Sequence, residues 1–208
     1  MRNEKRKMVD RKTVLGITGG IGSGKSEVLR ILTDRPDVKL MEADRLAKEL
    51  MLPGKPIYWD VVSAFGERIL EEDGSISKVR LSDIVFHDPD QLEKLNSIVH
   101  PGVKRYILED IERCEKRFYI IEAALLIQDG YKEICDEIWY IHVPTEIRID
   151  RLIRSRGGTR EKWEAVIRNQ PEDEYFQANV DRVIENDDTP EVLKERVTRE
   201  LMCQYLKT

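Results

Sequence analysis

No stretch of this 208-residue chain stays apolar for the roughly 18 residues that a membrane-spanning helix needs, which excludes a helical membrane protein. Cysteine is scarce as well. Cys114, Cys135 and Cys203 are odd in number, widely spaced and form no CxxC pair. That argues against a disulfide framework and for reduced thiols in a cytoplasmic protein. With three histidines and no His/Cys grouping at metal spacing, a zinc site has no ligand set to draw on. A basic excess is also missing: the net charge is −5 and the pI is near 5.5, so the footprint of a general nucleic-acid binder is absent. A small phosphorylated ligand stays open, because a local cationic pocket suffices for one. Internal repeats and low-complexity tracts are lacking too. The opening MRNEKRKMVDRK is basic but has no apolar core of a secretory signal, so residues 1–13 are expected to form a solvated tail.

What is present is a chain with 40% hydrophobic and 36% charged residues, enough for a real core under a well-solvated surface. Short apolar runs rich in β-branched and aromatic residues predict strands at 14–18, 38–41, 118–122, 137–143 and 182–184. Near-continuous runs such as FYIIEAALL and EIWYIHV suit strands buried on both faces. Amphipathic stretches alternate with them, among them 27–32 and 43–51. The expected fold is α/β, a doubly wound parallel sheet of about five strands. Two segments break the rhythm. Residues 52–113 are mostly helical and polar, with turn signals at Pro53-Gly54 and Asp73-Gly74, and are expected to form a substrate-binding insertion. Residues 151–175 carry Arg151, Arg154, Arg156, Arg160 and Arg168 around Gly157-Gly158 and are expected to act as a mobile lid. The core of a single kinase domain (14–208) would then be 14–51, 114–150 and 176–208.

The strongest local signal is Gly19-Gly20-Ile21-Gly22-Ser23-Gly24-Lys25-Ser26, which satisfies GxxxxGK[ST]. Its glycines let successive backbone N–H groups curl around phosphate oxygens, so Gly20, Ile21, Gly22, Ser23, Gly24, Lys25, Ser26 and Glu27 are the candidate ATP-binding residues. Lys25 supplies a charge for the β and γ phosphates, and the Ser26 hydroxyl is the candidate Mg²⁺ ligand. The following helix points its positive end at the same anion. Base-reading signatures of the NKxD kind are absent, and the third strand ends in a lone acid, Glu122, rather than the Asp or Asp-Glu common in ATPase motors. Transfer between two small molecules is the expected chemistry.

At this point the sequence resembles the dephospho-coenzyme A kinase family over about 14–197. LGITGGIGSGKS, MEADRLAKEL, LPGKPIY, FGERIL, DGSISKVRL, LNSIVHPGV, EAALLIQDGY, TREKWEAVIRNQ and VDRVIEN stand in the family's order. The resemblance implies a cytoplasmic enzyme, monomer or small homo-oligomer, that uses ATP and Mg²⁺ to phosphorylate the ribose 3′-hydroxyl of dephospho-CoA. It implies neither a nucleic-acid nor a membrane partner. Asp44 stands at the position of the catalytic aspartate. A helix N-cap is the competing role for that residue, as DRLAKEL reads as a helix start. Arg154 and Arg156 would clamp the polyphosphate. Asn186 would stand at the adenine rim, and His100 and Gln128 would face the acceptor. Pro101 should push His100 out of helical geometry. His87, His142, Trp139 and Tyr140 read as structural. The chain departs from the family where Pro-Leu-Leu-Phe-Glu is replaced by Ala124-Leu125-Leu126-Ile127-Gln128, in a lid one residue short, and at Asp188. Those departures leave open a kinase for another nucleoside or nucleotide acceptor, or a nucleotide-binding regulator without turnover.

Overall fold

The computed structural model describes residues 12–205; most of the basic tail lies outside that range. Its chain contacts divide the described residues into two compact units, one built from those up to 40 together with those from 115 onward, and the other from 41–114.

The first unit is organised by the central strands. β1 (Thr13–Thr18) pairs in parallel with β3 (Phe118–Glu122) and with β4 (Glu137–His142), and β4 pairs in parallel with β5 (Arg182–Glu185). With β2 (Val38–Glu42), the sheet runs β2-β3-β1-β4-β5. Alternate residues of the strands sort to its two faces. Leu15, Ile17, Phe118, Ile120, Trp139, Ile141 and Ile184 join one cluster with Val28, Leu29 and Leu32 of α1 (Lys25–Leu32) and Leu193, Val197 and Leu201 of α9 (Pro190–Tyr205). The intervening Val14, Tyr119, Ile121, Ile138 and Tyr140 are buried as well. Burial on both faces is why these strands read as unbroken apolar runs. The predicted strands are all present, with ends moved by one residue at most.

After β4 come α6 (Thr145–Arg156), α7 (Arg160–Arg168) and α8 (Asp173–Asn179). Ile149, Leu152 and Trp163 form a small apolar cluster between α6 and α7, against which Ile21 of the glycine-rich loop packs. Gly157 and Gly158, both at positive φ, make the turn between these helices.

The second unit is helical: α2 (Ala43–Leu50), α3 (Pro56–Phe65), α4 (Lys78–Phe86) and α5 (Pro89–Arg113). Asp88 caps α5 by accepting from the N–H groups of Asp90 and Gln91, and Pro89 starts it. One expectation fails here. Pro101 does not displace His100 from helical geometry, because α5 continues through both residues. Burial of Val99, Gly102, Val103 and Ile107 on that face outweighs the local bias of a residue before proline.

Candidate functional site

The loop between β1 and α1 leaves the carboxyl end of the central strand, where open α/β sheets present ligand-binding groups. Gly24 caps α1 in the left-handed region, φ +81°, with no side-chain capping bond. A Cβ at Gly24 would also run into Nδ2 of Asn186. Lys25 lies back along the loop: its Nζ donates to the Gly19 carbonyl at 2.7 Å and to Gly20 at 3.4 Å, and sits 4.0 Å from Oε1 of Glu122. The hydroxyls of Ser23 and Thr18 are buried and find no hydrogen-bond partner among the described residues. A buried polar atom left that way calls for an explanation, and an incoming ligand oxygen supplies one for a hydroxyl in a phosphate-type loop. The first turn of α1 adds backbone N–H groups that lack an intrahelical acceptor.

Three side chains from distant parts of the chain hold this loop. Asn186, 6% exposed just beyond β5, donates from Nδ2 to the Ser23 carbonyl at 2.8 Å, while its backbone N–H donates to His142. Arg148, in the first half of α6, donates from Nε to the Ile21 carbonyl at 2.9 Å and from Nη2 to Oε1 of Gln170 at 2.6 Å. That same Gln170 oxygen accepts the Ile21 N–H at 3.0 Å. Burial holds the Arg148 pKa below its ordinary value.

A titratable group stands at the end of β4. His142, at the end of β4, contacts Oε2 of Glu185 through Nδ1 (2.7 Å) and Oδ2 of Asp173 through Nε2 (3.2 Å). Burial opposes its protonation, yet the hydrogen bond to Glu185 and the charges of Glu185 and Asp173 outweigh that and raise its pKa. Tyr140 donates its hydroxyl to Asp173; burial and that carboxylate push its pKa upward. His142, expected to be structural, and Tyr140, expected to serve as packing, thus form a hydrogen-bonded linkage between β4, β5 and α8.

Of the residues singled out from sequence, Gly20 through Glu27 and Asn186 come together at the loop. Arg154 and Arg156 occupy the exposed last turn of α6. Gln128 is exposed in the turns that follow β3. Asp44 and His100 belong to the helical unit. Asp44 is exposed in the first turn of α2, whose N-cap position is filled by Glu42 and makes no side-chain capping bond, so the competing helix-cap role for Asp44 is lost. Glu122, Arg148 and Gln170 did not enter the sequence-based site. Arg148 had one visible signal: an arginine four residues before Leu152 and next to Ile149, on what becomes the buried stripe of α6. Among the described residues no group of three His, Cys, Asp or Glu side chains is placed to hold a metal by itself.

Comparison with known proteins gives this geometry a lineage. The profile of the dephospho-CoA kinase family matches residues 13–191. The dephospho-CoA kinase of Streptomyces avermitilis is 40% identical over 185 residues, covering 88% of this chain and 89% of that protein. That of Carboxydothermus hydrogenoformans is 36% identical over 187 residues, covering 88% and 90%. The crystal structure of TT1252 from Thermus thermophilus superposes with a TM-score of 0.78 at 28% identity, over 94% of this chain and 98% of that one. With a glycine-rich phosphate loop on the central strand and such relatives along nearly the whole of its length, the chain belongs to the dephospho-CoA kinase family of P-loop kinases.

Proposed function

We propose that this enzyme transfers the γ-phosphoryl group of Mg-ATP to the ribose 3′-hydroxyl of dephospho-CoA, the last step of CoA synthesis. The observation that carries the reading is Lys25 laid over its own loop beside Glu122, in a chain of this family. The Lys25 ammonium satisfies itself on loop carbonyls and can exchange them for phosphate oxygens. Within the loop from Gly20 to Glu27, the backbone N–H groups not already bonded inside the fold surround the polyphosphate, the Ile21 N–H being held by Gln170, with Asn186 fixing the loop next to the adenosine end. The exposed hydroxyl of Ser26 and the carboxylate of Glu122 are hard oxygen donors, the type Mg²⁺ takes alongside phosphate oxygens and water. When bound, Mg²⁺ neutralises charge on the β and γ phosphates. Asp44 orients the acceptor hydroxyl and takes its proton. Arg154 and Arg156 close on the transferring group as a lid built on α6 and α7, while His100 and Gln128 contact the acceptor. The 52–113 segment is read as the acceptor-binding lobe.

The same reading places the enzyme in the cytoplasm, as a monomer or small homo-oligomer. No described helix is long and apolar enough to cross a membrane. The test is transfer of label from γ-labelled ATP by the pure protein to dephospho-CoA, adenosine or AMP. The expected result is 3′-phosphorylated product from dephospho-CoA alone. Preferential labelling of adenosine or AMP would replace the acceptor, and no transfer to any of them would leave a nucleotide-binding regulator.

A further inference from the structure

We propose that Arg148 and Gln170 are positioning residues that clamp both backbone polar groups of Ile21 and so hold the phosphate loop in its receiving shape before nucleotide arrives. The proposal rests on the reading that ATP phosphates occupy this loop. Its basis is one closed circuit. The Ile21 N–H goes to Oε1 of Gln170, the Ile21 carbonyl accepts from Nε of Arg148, and Nη2 of Arg148 closes the ring on the same Gln170 oxygen. Arg148 is 5% exposed, so these bonds form where water competes poorly. Neither acceptor is a carboxylate. Gln170 thus gives one oxygen to two donors without placing a negative charge beside an anion site, which a glutamate would do.

The clamp is reinforced by packing. The Ile21 side chain lies against the α6–α7 cluster of Ile149, Leu152 and Trp163, which carries Arg148 at one end and Gln170 just beyond the other. Residue 20 must be glycine for the guanidinium to fit, because a Cβ there would overlap Nη2 and Cζ of Arg148 and stand 2.9 Å from Oε1 of Gln170. Residue 21 of the loop is therefore tied by backbone and side chain to the helix pair that also bears Arg154. The base of the lid and the phosphate loop form one preorganised piece, and any lid motion is confined to the parts beyond it.

Preorganisation has a specific kinetic signature. If a loosened loop is competent only part of the time, apparent ATP affinity falls by that fraction, whereas bound phosphates restore the loop and turnover at saturation survives. Gln170→Leu removes the shared acceptor. It should raise the KM for ATP about tenfold or more while leaving kcat within about threefold. The Kd for adenosine, which does not touch the loop, should stay unchanged. Amide exchange of Ile21, followed by NMR on the full chain, should speed up at least about tenfold. Gln170→Glu keeps an oxygen for both donors and should restore slow exchange. If Gln170→Leu does not fold, Arg148→Lys carries the KM-against-kcat part of the test, since it keeps the charge but loses the fork onto the Ile21 carbonyl and Gln170. Loss of kcat with unchanged KM would mean only a smaller folded fraction and would overturn the proposal, as would slow Ile21 exchange in the clamp-broken variant. If the wild-type protein itself bound no ATP, the proposed function would fall; slow Ile21 exchange lost in Gln170→Leu would still uphold the clamp.

Discussion

Gly24→Ala combines two costs that a mutant cycle can separate. The first is conformational: residue 24 sits at φ +81°, and an alanine held in the left-handed region costs about 1–2 kcal/mol. The second is steric: the new methyl overlaps Nδ2 of Asn186, whose hydrogen bond to the Ser23 carbonyl at 2.8 Å must break or stretch. Leaving that buried carbonyl without its donor adds about 1–3 kcal/mol. Together the substitution should cost about 2–5 kcal/mol, which at roughly 2–4 °C per kcal/mol for a chain of this size lowers Tm by about 4–20 °C. Asn186→Ala alone should cost only the hydrogen-bond part, about 1–3 kcal/mol. Once residue 186 is alanine the collision is gone, so adding Gly24→Ala should then cost only the conformational part of about 1–2 kcal/mol. The cycle should therefore show a coupling energy of about 1–3 kcal/mol by chemical denaturation of the four proteins. Additivity within about 0.5 kcal/mol would refute the reasoning, because it would mean that Asn186 does not stand over Gly24 as the structure has it.

Four further outcomes follow from the same geometry. Lys25→Ala should abolish most phosphoryl transfer with Tm nearly unchanged, since the ammonium reaches carbonyls of its own loop and lies 4.0 Å from a carboxylate; near-normal transfer would defeat the assigned role. Asp44→Asn should lower kcat by roughly 10²–10⁴ with ATP affinity little changed, as for a positioned base, and should leave Tm alone because Asp44 does not cap its helix. Stability should depend on pH through His142: its folded pKa is raised, so its contribution is complete below the unfolded value of about 6.5 and is lost as pH rises through the higher folded value. His142→Gln should flatten that slope in a series of denaturation curves, and an unchanged slope would remove His142 from the account. Gln128→Glu should alter kcat/KM for dephospho-CoA by less than about tenfold, since Gln128 is exposed and an amide also accepts hydrogen bonds; a hundredfold gain would mark the natural protein as a weakened kinase.

The sheet was legible because burial leaves a mark on local composition. Phe118 to Ile121 and Ile138 to Ile141 face apolar neighbours on both sides, so each residue carries the signal by itself. The failure at Pro101 shows the limit of the same approach. The rule for a residue before proline is a local preference, and the buried stripe from Val99 to Ile107 depends on packing partners that no short window contains. Asp44 gives a similar lesson at smaller scale. DRLAKEL is a good helix start, but the helix begins one residue earlier, at Ala43, and the aspartate is left exposed in the first turn.

The phosphate loop was legible for a different reason: its function is written in consecutive residues, because one turn of backbone does the binding. The residues that give this loop its shape are 127, 149 and 163 positions away along the chain, in the bonds from Arg148 and Gln170 to Ile21 and from Asn186 to Ser23. Each belongs to a common type, an arginine in a helix, a glutamine after a helix and an asparagine after a strand, and none is unusual where it stands. Their part in the site comes from the sheet order, which sets β1 beside β4, and β4 beside β5. The elements that follow β4 and β5 then descend on the loop that follows β1. Sequence thus specifies the binding surface directly and its rigidity only through the fold. This is why the sequence alone names Lys25 and Ser26, while Arg148 and Gln170 emerge only when the three strand ends are brought together.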